Sequence, residues 1–109
     1  MIQELMLADD LFEGIDDGTK QNTIRYGKRN IVPGVLRFVA TDDNTETRLV
    51  EVTNVSYVRT GDITNEKAQS YGYYDKEDLI DVMRYYYPTI DDENDDLTVI
   101  EFRHDPTWR

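Results

Sequence analysis

The sequence predicts an α+β domain: a small curled or barrel-like sheet of about five to six strands, with two helices packed on it. Three observations carry this. Apolar residues recur at helical spacing in two segments, one near the N-terminus and one close to residues 75–87. Between them lie alternating, β-branched stretches punctuated by turn residues. Near the end, "LTVIEF" is almost continuously apolar, the composition of a central strand buried on both faces. Helix, several strands, helix and a final strand is an order that packs as α+β.

The first helix is expected from Leu7 to Asp17, with Leu7, Leu11, Phe12 and Ile15 on one face. Asp9 and Asp10 suit its first turns electrostatically, and Gly18 is a natural stop. Thr23 to Tyr26 is β-compatible and ends at the polar break "GKRN". "VPG" reads as a turn, "VLRFVA" as a strand, and "TDDNTET" as the closing loop of a hairpin. The return strand, "RLVEVTNVSYV", is long enough to bend or to carry a bulge near Asn54. "TGDITNEKAQSYGY" is irregular, with room for a helical turn around Glu66 to Gln69. The second helix starts near Asp75, a capping side chain that Asp78 complements in a capping-box-like pattern. Its expected apolar face is Leu79, Val82, Met83 and Tyr86, and Pro88 ends it.

At 109 residues the chain is most simply one compact domain, 1–109, able to bury one modest core. It has no internal repeat. There is no cysteine, so disulfides and thiolate metal sites are excluded. His104 is the sole histidine, and a lone histidine makes neither a metal site nor a triad, so no metal and no cofactor is expected. The start lacks a basic segment followed by an apolar run, and no apolar run approaches the roughly 20 residues of a membrane span. The expectation is a soluble cytoplasmic protein without a membrane partner, of a kind a phage or another mobile element makes inside its host. Trp108 either packs back on the sheet or hangs free.

The formal charge of −11 argues against generic nucleic-acid binding, which rests on neutralising phosphates. The charge is segregated, however. Five of the 12 basic residues lie between Lys20 and Arg37, while carboxylates crowd into "DDENDD" at 91–96, expected to be a solvated loop. In "GTKQNTIRYGKR", strand alternation puts Thr23 and Arg25 on one face and Ile24 in the core. Lys20, just after the Gly18 turn, is free of that alternation and can fold back beside Thr23. A lysine with a depressed pKa next to a threonine hydroxyl is the pattern of an activated nucleophile. Arg25, Lys28 and Arg29 suit an anion or phosphate, because guanidinium forks match phosphate geometry. Tyr71, Tyr73 and Tyr74 either stack on a base or close the core over the second helix. "RYYYP" is expected to serve core and helix-end packing.

The pieces "LFEGIDDGTKQNTIR", "VPGVLRF", "AQSYGY", "YYYPTI" and "LTVIEF", in that order, resemble the ASCH domain over nearly the whole chain. The resemblance implies a PUA-like β-barrel with two flanking helices and a cleft for RNA or a nucleoside. One bacterial branch of this family, of about this length, hydrolyses N(4)-acetylcytidine to cytidine and acetate. By that likeness Lys20 is the base and Thr23 the nucleophile of Gly-x-Lys-x-x-Thr, and Arg25 orders the cleft or binds an anion. Where the family carries a glutamate acid, this chain has Tyr71. With an ordinary pKa of about 10, tyrosine is a poor acid–base match at neutral pH. Glu66, Asp75 and Glu77 stand in for it only under a shifted alignment. The ordered expectations are therefore three. First comes RNA or nucleoside binding, with Tyr73 among the contacts. An amidohydrolase using Lys20, Thr23 and Tyr71 follows. Third is an acidic interaction protein or DNA mimic.

Overall fold

A computed structural model describes residues 2–43 and 45–104; Trp108 lies outside them. The class is α+β. Five strands, β1 (Gln3–Leu7), β2 (Asn22–Tyr26), β3 (Gly34–Ala40), β4 (Thr47–Arg59) and β5 (Asp96–Arg103), form one mixed sheet in the order β1-β3-β4-β5-β2. The helices are α1 (Phe12–Asp16), α2 (Asn65–Ser70) and α3 (Lys76–Tyr86), with 3₁₀ turns at Asp9–Leu11 and Thr60–Asp62. By contacts the chain forms two compact units. One gathers the residues up to Thr23, Asn30–Val55 and those from Ile100 on; the other gathers Ile24–Arg29 and Ser56–Val99.

In the first unit, β1 pairs parallel with β3, Leu7 opposite Ala40, and β3 pairs antiparallel with β4 as the expected hairpin. The strand at Gln3–Leu7 corrects the sequence reading, which began a helix at Leu7. Leu7 does lie four residues before Leu11, but its backbone is held in the β1–β3 ladder. Only Asp9–Asp16 coils, first as a 3₁₀ turn and then as α1. Gly18 ends the helix as expected, with φ of 81°, a value that favours glycine. Leu7, Phe12, Ile15, Leu36, Phe38, Val50, Val52 and Phe102 are among the residues of one core, with Phe38 and Phe102 edge to face at 5.2 Å. The inside–outside alternation of β4 breaks where Thr53 and Asn54 are both exposed, the place expected for a bend.

In the second unit, α3 is capped as the sequence proposes. Asp75 accepts from the Asp78 backbone N–H at 2.9 Å, and Asp78 returns a bond to the N–H of Tyr74, one residue before the cap. The buried face differs from expectation. Leu79, Ile80 and Met83 go inward, while Val82 and Tyr86 are exposed. The wheel positions 79-82-83-86 and 79-80-83 are adjacent stripes, and packing against Ile24, Ile63, Ala68 and Val99 selects the second. The turn expected near Glu66 is α2, capped by Thr64, which accepts from Lys67 N–H at 3.1 Å. In β5, Leu97, Thr98, Val99 and Ile100 are all fully buried, as a central strand requires.

The acidic run is more than a solvated loop. Fully buried Thr60 donates its hydroxyl to the Asp91 carbonyl at 2.8 Å and accepts from the Asp95 N–H at 3.1 Å. Gly61 N–H reaches the Glu93 carbonyl at 3.1 Å, and a Cβ at Gly61 would stand 2.6 Å from that oxygen. Thr60→Val, which keeps the shape but strips both bonds, is expected to cost roughly 1–3 kcal/mol. Gly61→Ala is expected to destabilise by a similar ~1–3 kcal/mol through overpacking. Urea unfolding of the two variants against the parent measures both.

Candidate binding site

The residues of the basic stretch are divided between the two units. Lys20 and Thr23 belong to the first; Arg25, Lys28, Arg29, Tyr71 and Tyr73 belong to the second.

In the first unit, the route from α1 to β2 is fixed by local chemistry. Asp17 accepts from both the backbone N–H and the hydroxyl of Thr19, at 2.9 and 2.6 Å. Those bonds hold the Asp17 carboxyl below its ordinary value, the Thr19 hydroxyl contributing most. Lys20 then donates its backbone N–H to Gly14 at 2.9 Å. Gly14 is where the close approach occurs, since a Cβ there would meet the Lys20 Cβ at 3.1 Å. The Lys20 side chain folds back along β2, its Nζ 3.0 Å from the carbonyl oxygen of Asn22, the residue before Thr23. Thr23 is buried, with only 6% of its surface exposed. Strand parity put Thr23 and Arg25 on one face and Ile24 in the core; Ile24 is buried as expected, Thr23 is buried too, and Arg25 is partly so.

In the second unit, β2 ends at Gly27, which has φ of 78°. The turn that follows is pinned from several sides. Gly27 N–H donates to the Asp96 carbonyl at 2.7 Å. Fully buried Thr98 donates its hydroxyl to the Gly27 carbonyl at 2.6 Å and accepts from the Arg29 N–H at 2.9 Å. Tyr57 donates its hydroxyl to the Arg29 carbonyl at 2.9 Å. The Arg29 guanidinium turns back, its Nε 2.9 Å from the Tyr26 carbonyl, while Lys28 stays exposed. Tyr57 and Thr98 thus act at this turn although sequence spacing never joined them to it. A buried threonine inside an apolar strand was the available signal.

Burial pushes the Arg25 guanidinium below its ordinary value, and the positive charge of Arg29 pushes the same way; the phenols of Tyr87 and Tyr86 oppose it. Two cations and two tyrosines therefore share one neighbourhood. Tyr26 stacks on Tyr87 with ring centroids 5.2 Å apart. Its hydroxyl is bonded to Asp95, whose charge is the main reason the phenol is raised. Burial, then the charge of Asp78, then Tyr86, raises Tyr73. Tyr71 caps the C-terminus of α2 ahead of Gly72, and it packs with Tyr73 against the second core. Among the carboxylates weighed as substitutes, Asp75 is engaged in the α3 cap, while Glu66 and Glu77 are exposed. "RYYYP" is divided: Tyr87 is half-buried against the core, whereas Tyr85 and Tyr86 are exposed, which corrects the expectation that this run is packing.

His104, on the first unit, has Nδ1 2.9 Å from the Leu49 carbonyl and Nε2 4.0 Å from Asp16. Among the described residues no group of three or more His, Cys, Asp or Glu is placed to hold a metal ion. Among them, too, no helix is long and apolar enough to cross a membrane.

No family model matches the chain, and none of the curated proteins does. Among solved structures it is similar to the crystal structure of hypothetical protein PH0355, with 18% identity and a TM-score of 0.67. The match covers 96% of this chain and 100% of that one, a likeness of fold alone.

The lowered Asp17 carboxyl has a pH consequence. Its contribution to stability is fully present above the ordinary carboxylate pKa of about 4 and is lost as pH falls through the lower folded value. Thr19→Ala removes the larger cause, so the Asp17 titration followed by carboxyl NMR is expected to move back up. An unchanged titration would assign the depression elsewhere.

Proposed function

We propose that this chain is a PUA-like domain of the ASCH type that binds RNA or a nucleotide, with Arg25 and Arg29 holding its phosphate. One observation supports this most directly. In a chain of net charge −11, the fold keeps these two guanidiniums within electrostatic reach of each other, beside Tyr86 and Tyr87. Positive charges gathered in one neighbourhood favour an anion beside them. Arginine suits the task because its donors form a planar fork. Pinning of the turn by Thr98 and Tyr57 fixes the backbone that carries Arg29, so little freedom is left to lose when a ligand arrives. Lys28, exposed in the same turn, adds charge at the rim.

Arg25→Ala is expected to weaken binding of a short oligoribonucleotide roughly tenfold or more, the scale of a charged hydrogen bond. Lys28→Ala should weaken it less and flatten the dependence of log K on log salt by about 0.7, one single-strand phosphate contact. Fluorescence anisotropy across a salt series reads both. Equal affinity and equal slope in the two variants and the parent would end the reading.

The placement of Lys20 favours a second reading, an amidohydrolase for N(4)-acylated cytosine nucleosides. Lys20 Nζ donates to the carbonyl of Asn22, the residue before Thr23 in the chain. Thr23 would attack the acyl carbon, and the Lys20 amine would take the hydroxyl proton and pass it to the leaving amine. Purified protein is expected to convert N(4)-acetylcytidine to cytidine and acetate, and Thr23→Ala to lose that conversion. Equal product from parent and variant would remove this second reading.

A further inference from the structure

We infer that the exposed end of α3 extends the arginine site into a stacking platform, so that the ligand is a single-stranded RNA segment of two or more nucleotides rather than a free nucleoside. This rests on the phosphate-binding reading of Arg25 and Arg29.

Tyr85 and Tyr86 are 81% and 54% exposed, and their rings meet edge to face with centroids 5.0 Å apart. Neither ring is needed by the core, which takes Tyr87 instead. Successive helical positions differ by about 100°, so consecutive tyrosines present faces in different directions. The pair is also tied to the cations by a short physical route. Arg29 Nε is bonded to the Tyr26 carbonyl, Tyr26 stacks on Tyr87, and Tyr86 senses the charge of Arg25. Exposed phenol rings in the neighbourhood of guanidiniums suit a polymer that alternates flat neutral bases with anionic phosphates.

Charge decides which polymer. Arg25, Lys28 and Arg29 repel a basic peptide and attract a phosphate backbone. Carboxylates also lie near the aromatic residues. Asp95 is bonded to the Tyr26 hydroxyl, Asp78 faces Tyr73, and Asp81 on the outside of α3 is 3.9 Å from Arg84. They disfavour phosphate over the tyrosines while leaving neutral bases free to stack there. The polarity is therefore set: phosphate toward the arginines, bases over Tyr86 and Tyr85.

Calorimetric titration with cytidine monophosphate and with oligocytidylates of two, four and six nucleotides tests this. The tetramer is expected to bind at least tenfold tighter than the mononucleotide. Tyr85→Ala is expected to lower tetramer affinity about tenfold more than mononucleotide affinity, and Tyr85→Phe to restore it, since a ring is what a base stacks on. A tetramer bound no more tightly than the mononucleotide would overturn the platform, as would an unaffected Tyr85→Ala variant in which Arg25→Ala still weakens binding. If Arg25→Ala changes nothing for any length, the phosphate-binding reading has failed instead, and the platform with it. Tighter binding of the deoxy tetramer, or binding of an oligoarginine peptide that Tyr85→Ala removes, would assign the surface to another partner.

Discussion

One hydroxyl organises the basic turn of this protein. Thr98 stands in the middle of β5 between Leu97 and Val99, in a run buried on both faces. A threonine in that place would leave a buried polar atom to satisfy, and the chain meets the need by bringing residues 27–29 against it. The hydroxyl both donates and accepts, to Gly27 and from Arg29. Gly27, free to take a positive φ, lets the backbone reverse there, and Tyr57 completes the clamp from β4. Placement of Arg29 follows from a demand of the core, that its one polar side chain in this strand be paired.

Thr60 repeats the logic at the acidic run. Its buried hydroxyl takes the backbone of Asp91 and Asp95, while the Asp91 carboxylate accepts from Glu93 and Asn94. Those bonds, the Glu93 N–H foremost, hold Asp91 below its ordinary value. The carboxylates of this segment are thus partly spent on their own loop.

Arginine is costly to hold near arginine, and tyrosine is a wasteful residue to leave in water. The second unit does both within one neighbourhood. Under the proposed reading, local features of this kind, which oppose stability on their own, belong to the binding site. Under that reading phenols would let an acidic chain meet nucleic acid at little electrostatic cost, because stacking draws on the face of the ring and not on net charge.

Much of this was legible along the chain because its causes are local. The Asp75 cap, the Gly18 stop, the β3–β4 hairpin and the apolar run of β5 depend on residues within a few positions of one another. The clustering of Lys20, Arg25, Lys28 and Arg29 is a property of sequence alone. What spacing could not decide were choices between two locally acceptable answers. Leu7 fits a helix or a strand, and its pairing with Ala40, 33 residues away, made it a strand. α3 has two adjacent stripes, and its neighbours chose Ile80 over Val82 and Tyr86. Three tyrosines in a row cannot all face one core, yet only the packing around Tyr87 determined which was kept and which two were left to solvent. Sequence named the residues and their local geometry. Tertiary structure decided which of them are buried, because burial is settled by partners that the chain brings from elsewhere.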